Sequence, residues 1–131
     1  MDLLTKEQIL AAADRPYEEV SVPEWGGAVR VRSMSGADRD DYEQWMANLN
    51  RAGGSLLLPN VRARLVALSA VGGDGARLFA EADIEALGAK SARALDRVFA
   101  AAKRVNGIGA DEIEALEKNF GGAQSADSTS A

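Results

Sequence analysis

The chain has 131 residues, with 15 Lys and Arg against 20 Asp and Glu and a formal charge of −5, a length that suits one domain with a modest core. It contains neither cysteine nor histidine, so disulfides, the usual zinc sites and Ser-His-Asp or Cys-His catalysis are excluded. The acidic balance argues against a sequence-independent grip on nucleic acid. The leucine run Leu56-Leu57-Leu58 stops at Pro59, far too short to cross a bilayer.

Thr5 followed by Gln8 has capping-box spacing and predicts a helix over 6–13, with Pro16 beyond its end. Val20 and Val22, then Val29 and Val31, alternate with polar residues around the turn-rich Pro23-Glu24-Trp25-Gly26-Gly27. This pattern predicts a β-hairpin over about 19–32, its valines inward and Glu19, Arg30 and Arg32 outward. Ser35 and Asp38 open a helix over 36–49, whose Tyr42, Trp45, Met46 and Leu49 recur at helical spacing. A helix over 59–71 with Val61, Leu65 and Leu68 inward follows, then the turn Gly72-Gly73-Asp74-Gly75, a short extended piece at Leu78-Phe79 and a helix over 81–87. The clearest helix spans 89–105. Leu95, Val98, Phe99, Ala102 and Val105 share one of its faces, and Lys90, Arg93, Arg97 and Arg104 stripe the opposite one. Asn106-Gly107 stops it. A last helix over 110–119 turns Ile113, Leu116 and Phe120 inward, and residues 121–131 form a polar tail that is expected to be disordered. The fold class is mainly α (α+β): one compact helical domain, residues 1–120, with a small N-terminal β-hairpin and a flexible tail, 121–131.

The densest acidic cluster, Asp38 to Glu43, does not converge on one ion, because helical neighbours one or two apart point in different directions. It reads as a solvated first turn at the positive end of a helix dipole. The glycine-rich turn at 72–75 lacks the Gly-Lys-Ser/Thr ending of a P-loop. The residues therefore point to a non-enzymatic binding module that needs no cofactor and no metal. Its candidate partner-binding residues are Trp25, since aromatic side chains anchor interfaces, and the stripe of Lys90, Arg93, Arg97 and Arg104. Each has a plainer reading, as a ring folded over the sheet and as the solvated face of a helix.

Three groups of phrases carry a resemblance. Val22-Pro23-Glu24-Trp25-Gly26-Gly27-Ala28-Val29-Arg30-Val31-Arg32 with Met34-Ser35-Gly36-Ala37-Asp38-Arg39-Asp40 form the first, and Asn60 to Val66 with Asp74-Gly75 and Leu78-Phe79 the second. Leu95-Asp96-Arg97, Val105 to Gly109 and Glu112 to Asn119 form the third. In that order, over residues 3 to 120, the chain resembles the tail assembly chaperones of long-tailed bacteriophages and prophages. The resemblance implies a protein of the host cytoplasm that is absent from the mature virion. It would bind the tape measure protein, assist assembly of the tail tube around it, contact the tail tube protein and associate with itself. Relatives also make a longer, frameshifted form, of which this chain would be the short counterpart. The alternatives are a structural tail component kept in the virion, a small regulatory module that uses the basic stripe on nucleic acid or protein, and, more remotely, an enzyme. The resemblance implies no catalytic residue, no nucleic acid and no membrane.

Overall fold

The structure, a computed structural model, describes residues 2–51 and 59–108. The helix expected over 110–119 and the tail 121–131 lie outside the described residues. Within them the chain is mainly helical around a small antiparallel sheet. Helix α1 (Lys6–Ala11) carries the complete capping box: Gln8 N–H donates to Thr5 Oγ1 at 3.2 Å and Thr5 N–H to Gln8 Oε1 at 2.9 Å. It stops two residues short of the expected end and buries none of its residues.

Strands β1 (Tyr17–Val22) and β2 (Gly27–Arg32) pair from Tyr17↔Arg32 to Val22↔Gly27. Between them Pro23–Trp25 forms one 3-10 turn closed by Gly26, whose φ of 79° lies in the left-handed region. The register puts Val20, Val22, Val29 and Val31 on one face. Val22 and Val31 are fully buried there, and Val20 and Val29 pack at the margin. The other face carries Tyr17, Glu19 and Arg30, with the Arg30 guanidinium 2.6 Å from Glu19 and stacked 4.6 Å above the Tyr17 ring.

Helix α2 (Gly36–Arg51) is capped by Ser35, whose Oγ accepts from Asp38 N–H at 3.1 Å. Helix α3 (Pro59–Ser69) does not run to residue 71. Its last expected turn is instead strand β3 (Ala70–Val71), which adds to the hairpin by Arg30↔Val71 and Val31↔Ala70. The following turn then folds back, with Leu78 N–H donating to Ala70 O and Val71 bridging Arg77. A 3-10 turn at Glu81–Asp83 leads into α4 (Ile84–Gly88). Helix α5 (Ala92–Asn106) begins after Ser91, whose Oγ accepts from Ala94 N–H, and closes with Gly107 at φ 68°.

Helix α3 is buried throughout its second half, Leu65 to Ser69, while Arg62 and Arg64 in its first half reach out to Asp96 and Glu81. Ala63, Val66 and Ala67 join Val22, Val31, Ile84, Leu87, Leu95 and Val98, while Leu65 and Leu68 meet Met34, Tyr42, Ala102 and Ile108. Alanines at the crossings (Ala63, Ala67, Ala94, Ala101 and Ala102, each at most 2% exposed) permit close helix approach, and each buried apolar side chain contributes in proportion to the area removed from water. Of the stripe expected on α2, Tyr42 and Leu49 are buried and Met46 packs partly. Trp45 is half-buried, with the Arg64 guanidinium 4.5 Å from its ring centroid.

Asn106 fastens three elements at once. Its side-chain amide donates to Ser69 Oγ at 3.0 Å and to Ala102 O at 2.8 Å, and its Oδ1 accepts from Met34 N–H at 2.6 Å. Ser69 is fully buried, so this bond satisfies a hydroxyl that would otherwise be stranded in the core.

Candidate functional site

The stripe expected along α5 divides into two pairs with different surroundings. Arg97 is ion-paired with Glu24 of the hairpin turn, and Arg104 grips Glu18 of β1 through two nitrogens, at 2.8 and 3.0 Å. Both arginines clamp the hairpin to α5. These hydrogen bonds hold the Glu18 and Glu24 carboxyls below their ordinary pKa and raise that of Arg104. Burial opposes each shift without reversing it. Two of the four cations of the stripe are therefore already ion-paired within the chain. Sequence periodicity placed the arginines on one helix face, but their partners lie 73 and 86 residues away.

Lys90 and Arg93 are different. Lys90 precedes the Ser91 cap and so is not on the helix, while Arg93 lies in its first turn. Both are exposed, and neither forms an ion pair with another described residue. Arg93 lies near enough to Glu24 to help depress its pKa.

Beside Lys90 is a mostly apolar groove of about 270 Å³ lined by Trp25, Phe79, Asp83, Ala86 and Leu87. Its shape follows from local geometry. The left-handed Gly26 closes the turn that presents Trp25, through a bond from Gly26 N–H to Pro23 O at 3.0 Å. Leu87 is the buried anchor of α4. Phe79 packs on the core margin between them. Asp83 is already engaged, accepting from Ala80 N–H at 2.8 Å. Two of the sequence's candidates, Trp25 and Lys90, thus meet at one groove. Phe79 and Leu87 complete it, and only the tertiary fold could have shown that they belong there.

A larger depression of about 690 Å³ lies on the outer sheet face between Arg15, Tyr17, Arg30, Arg32 and the 73–75 turn. Two of the arginines in its lining are already engaged, Arg30 by Glu19 and Arg15, whose Nε–H donates to Ser33 O at 2.9 Å. Apolar surface is concentrated elsewhere, on the N-terminal arm: Leu3, Leu4, Ile9 and Leu10 are 96, 67, 54 and 78% exposed.

Among the described residues no group of three or more acidic side chains could hold a metal ion, and no helix is long and apolar enough to cross a membrane. No protein-family model and no curated protein matches the chain. Among solved structures it is similar to the bacteriophage HK97 tail assembly chaperone, at 20% identity and a TM-score of 0.56, over 76% of this chain and 94% of that one. At that identity the likeness is one of architecture, and the chain shares the fold of a phage tail assembly chaperone.

Proposed function

We propose that this chain is itself a tail assembly chaperone, which binds the tape measure protein in the host cytoplasm and assists tail-tube assembly without catalysing a reaction. The observation that carries this reading is the fold shared with the HK97 protein over most of both chains. Two features of the surface support it. The groove between Trp25 and Leu87 is the kind of concave apolar site into which an amphipathic helix lays its anchors. The capped but unburied α1 arm offers further apolar surface to a long helical client.

Co-expression with the tape measure protein of the same phage or prophage tests the proposal. The client's soluble yield should rise several-fold, the two chains should co-purify without added nucleotide or metal, and mass spectrometry of mature particles should find little of this chain. A client equally soluble and unassociated in its presence would overturn the reading. Stoichiometric amounts of the chain in purified particles would instead identify a structural tail component.

A further inference from the structure

We infer that the groove beside Trp25 recognises a particular side-chain pattern: one large apolar residue on a helix, flanked a turn away by carboxylates that pair with Lys90 and Arg93. The inference rests on the proposed chaperone function and adds what the client must present.

The size of the groove sets the first part of the pattern. An apolar cavity of about 150 Å³ holds benzene, so a groove of about 270 Å³ takes one or two large apolar side chains. Its aromatic walls, Trp25 and Phe79, are both half-buried, which leaves ring surface for an incoming leucine or phenylalanine. Aromatic residues so placed carry much of the binding energy of an interface.

Charge sets the second part. Among the described residues the only acid lining the groove, Asp83, caps the backbone at Ala80, whereas the Lys90 ammonium in the lining has no ion-pair partner. Arg93 follows within one turn, also unpaired, while Arg97 beyond it is neutralised by Glu24. Unpaired positive charge thus lies at the end that borders the groove, while at the far end of α5 Lys103 stacks on the Phe99 ring at 4.8 Å. Cations at a helix N-terminus oppose the helix dipole, so Lys90 and Arg93 do not serve the stability of α5. A partner helix with glutamate or aspartate three or four residues from its apolar anchor shows both on one face. It would place the carboxylates against this end.

The probes are alanine-based helical peptides carrying one leucine, with glutamates three residues after and four before it, and the matching peptides with glutamine or lysine there. Binding is read from Trp25 fluorescence in the full chain with Trp45→Phe. The glutamate peptide should blue-shift Trp25 and bind at least tenfold tighter than the lysine peptide, with the difference shrinking as salt is raised. The Lys90→Glu/Arg93→Glu variant should reverse the preference. Because those changes favour the helix dipole, lost binding cannot be ascribed to a weakened α5. Equal binding of the three peptides, or an unshifted Trp25, would overturn the inference. So would concentration-dependent self-association abolished by the same double variant, since the occupant would then be the Leu3–Leu10 arm of a second copy. Co-purification of the tape measure protein with the double variant, undiminished, would sink this inference and leave the chaperone function standing.

Discussion

At Gly26 and Asn106 a single residue decides how two elements meet. The left-handed φ of 79° at Gly26 penalises any residue with a β-carbon by roughly 1–2 kcal/mol. Gly27 has open space and no such φ. Gly26→Ala should therefore lower the urea midpoint clearly and Gly27→Ala hardly at all; equal effects would show that the turn relaxes. The Asn106 amide holds the Met34 N–H and the Ser69 hydroxyl together. Replacing it with alanine strands both buried groups, at about 1–3 kcal/mol each. Asn106→Ala should cost more stability than Ser69→Ala, which removes its own polar atom, and chemical denaturation of the two variants compares them directly.

Between elements, the hairpin and α5 are joined by apolar contact beneath and ion pairs above. The pairs Arg104–Glu18 and Arg97–Glu24 lie at the solvent boundary, where such pairs contribute little at neutral pH. Their contribution depends on ionisation. Both carboxyls have folded-state pKa values below the unfolded value, about 4.3. Their stabilisation is thus complete above that value and is lost as pH falls through the folded pKa. Stability measured by urea titration from pH 7 to pH 3 should fall in the acid limb. Glu18→Gln/Glu24→Gln should flatten that fall while changing little at pH 7, with the remaining slope due to other carboxyls such as Glu81, held low by Arg64. An unchanged acid limb would show that the clamps carry no linked protonation. The terms of α3 are different: it ends early because Ala70 and Val71 gain strand partners in β2, a tertiary gain that overrides helical continuation.

For the molecule as a whole, features written in neighbouring residues were legible from sequence, and those made by distant ones were not. The Thr5–Gln8 and Ser35–Asp38 caps, the glycine turn and the buried face of α5 depend on spacings of two to seven residues, and each stands where periodicity put it. Strand β3 is two residues long and looks like more helix. Neither the partners of Arg97 and Arg104 nor the Phe79 and Leu87 walls of the groove have a local signature. Trp25 and Lys90 drew notice because their residue types are conspicuous, whereas a helical wheel, which sees only one helix, could not show that Arg97 and Arg104 pair with the hairpin. The clamp between β1 and α5 also bears on birth at the ribosome. A lone hairpin is marginal in water, and the helix that covers this one ends at Asn106, some 75 residues after Arg32. At about 5–20 residues per second, the valine face waits roughly 4–15 s for its cover, so a newborn chain passes through an interval in which it is itself an aggregation-prone client.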